Sequence, residues 1–178
     1  MKKLTFNTCL LTWALLAGIL FFTAGCSNND DDNQPKSSTM KVTVQLTGAS
    51  EVPPVPNAGT GTIDITYDSV TNIINYNVEW QLGATSATTT GMHFHGSDNG
   101  SPTTNSPVLI PVEGFSAGSS GTLTGSTPAL TPVQESQLLS GKWYFNIHSS
   151  NYPSGAMRGN IVFSTTASST NNGSNPSY

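Results

Sequence analysis

Between Ile74 and Gln81 the chain alternates without a break, with Ile74, Tyr76, Val78 and Trp80 on one side and Asn75, Asn77, Glu79 and Gln81 on the other. A period of two sends successive side chains to opposite faces of an extended strand. The segment therefore has one apolar and one polar face and cannot settle as a helix. Val42, Val44 and Leu46 alternate in the same way with Thr43, Gln45 and Thr47, and Ile63, Ile65 and Tyr67 with Thr62, Asp64 and Thr66. Clusters of Gly, Asn, Pro and Ser separate these runs, as expected of half-buried antiparallel strands. The fold class predicted is all-β, an antiparallel Greek-key β-sandwich. One short helix is expected, with Thr131 as N-cap, Pro132 in first position, Gln134 completing a capping box and Gly141 ending it. It would carry the chain from one sheet to the other.

The first 25 residues stand apart from this pattern. Lys2 and Lys3 precede an apolar run from Leu10 to Ala24, shorter than the roughly 20 residues of a membrane-spanning helix. The run ends in Thr23-Ala24-Gly25-Cys26. Small residues before a cysteine read as a bacterial lipoprotein signal, with Cys26 lipidated as the new N-terminus. An ordinary secretory signal cut nearby and a retained anchor are the alternatives. Residues 26–40 are a polar, acidic tether. Its Asp30–Asp32 run resembles a signal for export to the outer face of the outer membrane, or is a solvated spacer. Residues 165–178 are a Ser/Thr/Asn-rich tail; both segments are expected to be disordered. Residues 41–164 remain as one domain, exported and held at the cell envelope through the lipid on Cys26.

Composition excludes several functions. The only cysteines are Cys9 and Cys26, so the domain has neither a disulfide nor thiol chemistry. Seven acidic residues stand against Lys41, Lys142 and Arg158 in the domain, which leaves nucleic-acid binding no electrostatic basis. No Ser-His-Asp arrangement, paired catalytic carboxylates or phosphate loop stands out, so enzyme activity is not expected.

All three histidines and the single arginine fall in two short stretches, Gly91–Gly96 and Tyr144–Gly159. In Met92-His93-Phe94-His95 the histidines share one strand face. In Trp143–His148 the residues Tyr144, Asn146 and His148 look away from the core. The α-carbons of His93 and His95 are then roughly 6.6 Å apart, a spacing that lets imidazoles converge on an ion with bonds of about 2.0–2.1 Å. His148 would be the third ligand. Alternatively, the imidazoles only hydrogen-bond to neighbouring loops and strands. Arg158, alone in Gly-Ala-Met-Arg-Gly, can serve as a structural fork on carbonyls or on a carboxylate such as Glu51.

These blocks resemble the CHRD domain, the module first described in chordin. The resemblance rests on Leu46–Pro54, the Gly59/Gly61 turn, Met92-His93-Phe94-His95-Gly96 with Gly100 after it, Leu138 and Gly141, and Tyr144–Ile161. The loop Ser101–Pro107 between them reads as polar and adjustable. The resemblance implies an extracytoplasmic immunoglobulin-like β-sandwich and no enzymatic activity. A weaker resemblance links the histidine stretches to the copper-site strands of Cu/Zn superoxide dismutases. It implies His93, His95 and His148 as copper ligands and Arg158 as an anion-attracting residue. The chain departs from that family in having no bridging histidine, no zinc cluster and no disulfide, so dismutase activity is not expected.

Three functions compete on this reading. The first, and favoured, is a lipid-anchored binding or adhesion module with a protein or glycan ligand. The second is a transition-metal protein, with copper as the cofactor. The third is a purely structural envelope domain.

Overall fold

The computed structural model describes residues 39–164. The expected signal peptide, Cys26, the tether up to residue 38 and the tail lie outside the described residues. Eight antiparallel strands and one helix follow one another as β1 (Thr39–Thr47), β2 (Gly59–Asp68), β3 (Ile73–Leu82), β4 (Thr89–Gly96), β5 (Val108–Pro111), β6 (Ser120–Ser126), α1 (Pro132–Leu139), β7 (Trp143–Ser149) and β8 (Met157–Ile161). Strand β1 opens two residues ahead of the domain start expected at Lys41 and ends in a 3-10 turn, Gly48–Ser50.

The strands form one sheet in the order β5-β4-β7-β8-β1-β2-β3-β6. Its middle is its weakest seam, because β1 and β8 are in register at a single pair, Thr47 and Arg158. There the sheet curls, and its two halves become the layers of the sandwich. The meander β1-β2-β3 makes most of one layer. The chain then changes layer at β3–β4, at β5–β6 and again at β6–β7.

The alternation in the sequence sets the inner faces. Ile63, Ile65 and Tyr67 from β2, Ile74, Tyr76, Val78 and Trp80 from β3, Met92 and Phe94 from β4, and Trp143, Phe145 and Ile147 from β7 are all buried. The layers meet where the Tyr76 and Phe94 rings pack edge to face at 5.5 Å, and where Trp80 Nε1 donates to Thr89 Oγ1 at 2.9 Å. Both are favourable geometries for aromatic groups that must be desolvated. Edge strand β6 presents Gly121 and Gly125 opposite Trp80 and Tyr76, where any side chain would strike the rings.

Helix α1 forms as its caps require. Thr131 Oγ1 accepts from Gln134 N while Gln134 Oε1 accepts from Thr131 N, closing the capping box. Gly141 follows at φ +69° with its N–H on Leu138 O. The helix lies on the β6–β7 connection and, as expected, carries the chain from one layer to the other.

Candidate functional site

Register alone assembles the polar face of the β4-β7-β8 layer. His93 stands opposite Asn146, His95 opposite Tyr144 and Gly91 opposite His148 across β4 and β7. Across β7 and β8, Asn146 faces Arg158 and Tyr144 faces Asn160. Directly paired residues of an antiparallel ladder point to the same side. This places all three imidazoles on the side away from the core, as the strand pattern predicts.

That side is not open to water. Asn146, Tyr144, His95, Glu51 and Arg158 are buried, and Arg158 has no exposed surface at all. Two loops cover them. The 97–107 loop, which includes the polar segment Ser101–Pro107, lies as a roof over this face. Arg158 Nη2 donates to the carbonyls of Ser101, Pro102 and Thr104, Arg158 Nη1 to Asn105 Oδ1, and Arg158 Nε to Asn160 Oδ1. Asn105 in turn donates to Val52 O at 2.9 Å, which ties the roof to the second loop, 48–58. That second loop folds beside the β7–β8 connection, where Tyr152 Oη donates to Pro56 O. Glu51 belongs to this loop and is buried, and its carboxyl rests against Gly155, where an added Cβ would sit 2.7–2.8 Å from the carboxyl atoms.

The arginine is thus a structural fork on carbonyls. It makes none of its hydrogen bonds to Glu51, and its burial removes it from the role of attracting an external anion. Its Cζ lies 3.5 Å from the Tyr144 ring centroid, a cation–π contact. The ring of His95, on the neighbouring strand, stacks on the same tyrosine at 4.7 Å and 5°.

One nitrogen from each of His93, His95 and His148 lies within 4.8 Å of the others. The rings are packed, with centroids 5.5 Å apart for His93 and His95 and 4.9 Å for His93 and His148. Two nitrogens on one ion at about 2.1 Å are at most about 4.2 Å apart. The widest pair must therefore close by at least about 0.6 Å, a matter of side-chain rotation. Gly91 provides the space, since a Cβ there would lie 3.2 Å from His93 Cε1 and 3.6 Å from His148 Cδ2.

Hydrogen bonds aim the rings. His95 Nδ1 donates to Ser106 O at 2.8 Å, and His148 Nδ1 donates to Pro153 O at 2.8 Å. Each bond fixes the tautomer that leaves Nε2 with its lone pair, the arrangement that supports metal ligation. His148 Nε2 and His93 Nδ1 are buried with no hydrogen-bond partner. Burial, first of all, lowers the pKa of His93 and of His95; the neighbouring imidazoles add to the effect. Those two rings are therefore shifted towards the neutral form, the form that binds metal.

Glu51 is the other anomaly. Burial pushes its carboxyl up to about 7, against the pull of the Arg158 charge and of hydrogen bonds from Asn146 and from the Val52 backbone. Its Oε1 has no hydrogen-bond partner. The sequence had already set Glu51, Arg158 and the three histidines apart as candidates; the fold buries Glu51, Arg158 and His95 and leaves His93 and His148 half-buried beside His95. Asn146, whose Oδ1 lies 3.1 Å from His95 Nε2, was assigned a face but no role, because an asparagine on a strand carries no chemical signal in a sequence.

The family model for the CHRD domain matches residues 42–161. The chain belongs to the CHRD domain family. The match spans β1 through β8 and so contains every residue of this site, and it supports an extracellular-type binding module. No curated protein and no solved structure gives a significant match.

Proposed function

We propose that this CHRD protein is an exported, lipid-anchored module of the cell envelope that binds a transition-metal ion through His93, His95 and His148. The supporting observation is the convergence of three imidazoles within 4.8 Å, two of them fixed by carbonyls in the tautomer that frees Nε2. Sequence alone placed a binding or adhesion role first. The clustered histidines reverse that order, because His93 Nδ1 and His148 Nε2 are buried with no hydrogen-bond partner beside His95. Among divalent ions, nitrogen ligands favour copper over zinc, so Cu(II) is the ion proposed. Burial of His93 and His95 keeps protons from competing until lower pH than at a free imidazole.

The test is metal analysis of the purified chain after incubation with copper and with zinc, followed by desalting. One copper per chain is expected, together with loss of that copper and retention of the fold in the His93→Ala/His95→Ala double variant. An early-melting variant, and a wild type that retains no copper, would establish the histidines as structural. The anchor is tested separately. Cys26→Ser should abolish fatty-acid labelling and release the protein from membranes.

A second reading is favoured by one observation. The outward face of β1, β2, β3 and β6 is exposed and rich in uncharged polar groups, with Thr43, Gln45, Asn75, Asn77, Gln81, Thr122 and Thr124 along it beside the charged Lys41, Asp64 and Glu79. Such a face suits a protein or glycan ligand held by hydrogen bonds. Binding there should survive the double histidine variant unchanged.

A further inference from the structure

We propose that two copies of this chain pair edge to edge through β6, antiparallel about a two-fold axis at Leu123, so that their sheets continue into one another. The pairing is independent of the metal reading above.

Among the described residues the sheet ends at β5 and β6. Strand β5 is four residues long, ends in Pro111 and pairs with β4 across a register shift. Short length, proline and irregular pairing are the means by which proteins blunt an exposed edge. Strand β6 has none of them. It runs seven residues, Ser120–Ser126, without a proline, a charge or a break in its register with β3.

The hydrogen bonds at its two ends show which groups it leaves free. Leu82 N donates to Ser119 O at 2.7 Å, and Thr127 N donates to Ile74 O at 2.9 Å. Hydrogen-bonded and non-hydrogen-bonded pairs alternate along an antiparallel ladder. The odd-numbered residues of β6 therefore bond to β3. Ser120, Thr122, Thr124 and Ser126, all exposed, turn their N–H and C=O groups to the edge.

The strand reads Ser-Gly-Thr-Leu-Thr-Gly-Ser, the same in both directions about Leu123. In an antiparallel pair centred there, Ser120 of one copy meets Ser126 of the other, Thr122 meets Thr124, and Leu123 meets itself. Each edge-facing residue then meets another edge-facing residue, in a pair that exchanges both N–H···O bonds. Leu123 falls at a non-hydrogen-bonded pair, where side chains approach most closely. It stands opposite the buried Val78 yet is itself only partly buried against the core, and the second leucine covers what one copy leaves open.

The glycines by themselves argue for no partner, since the Trp80 and Tyr76 rings already require them. The threonines do. Exposed in one copy, Thr122 and Thr124 become cross-strand Thr–Thr pairs at the seam, which stabilise a sheet. No like charges are brought together either. Glu79, the charged residue of β3, faces Thr122 and so lines up with Thr124 and Asn77 of the second copy. The two-fold pairing consumes the open edge and leaves only the blunted β5, so the assembly closes at two copies.

The experiment is sedimentation equilibrium over a concentration series, on the full chain carrying Cys9→Ser and Cys26→Ser to remove the native thiols and any lipid. Twice the chain mass is expected. Thr122→Lys/Thr124→Lys, which sets like charges opposite each other across the seam, should halve that mass and leave the circular dichroism spectrum unchanged. Cross-linking reads the register. Leu123→Cys in the same background should oxidise to a disulfide-linked dimer, because its paired α-carbons lie within disulfide range. Thr122→Cys and Thr124→Cys should each cross-link little alone and readily when the two chains are mixed. Those exposed positions keep the test decisive if Leu123→Cys fails to fold. A monomeric parent chain overturns the proposal, whether the edge stays bare, is taken by residues 165–178 or takes a strand of another protein. So does a dimer that survives the lysine variant, or one whose two threonine variants cross-link equally well alone and mixed.

Discussion

The outward face of β4-β7-β8 and the outward face of β1-β2-β3-β6 carry the same alternating pattern, yet they have opposite fates. On the second, Asn75 and Asn77 stay in water, as do Gln45, Glu79, Gln81, Ser120 and Thr122 around an open groove of about 480 Å³. On the first, Asn146, Tyr144, His95 and Arg158 are sealed beneath two loops. The wet face costs nothing to maintain. The covered face must satisfy each polar atom or lose stability, and it leaves Glu51 Oε1, His93 Nδ1 and His148 Nε2 unpartnered. The desolvated, unpartnered imidazole nitrogens among these are an observation on which the proposed metal site rests.

The inner sides of the two layers should not differ, and this sets the largest expected effect. Trp80→Ala and Trp143→Ala, one in each layer and both almost fully buried, should each cost about 3–5 kcal/mol in chemical unfolding. A tryptophan replaceable without loss in either layer would show that its layer is not packed as described.

The outer sides should differ in sign as well as in size. Glu51 has a folded pKa of about 7 against 4.5 ordinarily, so between those pH values the native state binds more protons than the unfolded chain. Wild-type stability should therefore fall as pH rises from 4.5 to 7, with the full cost present above 7. Glu51→Gln removes that cost and should stabilise the protein by up to about 3 kcal/mol at pH 8, and by little at pH 4.5. Melting curves at the two pH values decide it; a variant no more stable at pH 8 would mean that the carboxyl is not desolvated.

Gly155→Ala probes the same face from its backbone. The residue sits at φ +139°, and a Cβ would press on the Glu51 carboxyl. A loss of about 1–3 kcal/mol is expected, smaller in the Glu51→Ala background, where the obstructing side chain is gone; a double-mutant cycle measures the coupling. The smallest effect belongs to the wet face. Gln81→Ala should move stability by no more than about 0.5 kcal/mol, and a larger loss would show that this face too is covered in solution.

The strands, their inward faces and the capped helix were legible because each is set by local rules. A period of two fixes a strand's faces, and Thr131, Pro132, Gln134 and Gly141 mark the ends of α1 wherever the helix packs. The histidine stretches were legible in part. Met92-His93-Phe94-His95 shows that two imidazoles share a face, but not that His148 lies across from Gly91, since that depends on the register of strands more than fifty residues apart.

Sequence by itself determined the all-β class, the core residues and the side of the strands on which the histidines lie. Only the tertiary structure decided that this side is buried. The 97–107 loop is polar and reads as an adjustable connection; it becomes a roof because Arg158, four strands later, satisfies its carbonyls. Burial of this kind arises from hydrogen bonds between residues distant in the chain, and it is burial that changes what Glu51 and the histidines do. A carboxyl or an imidazole has its ordinary pKa in water. Its shift is a property of the surrounding atoms, which no local pattern encodes.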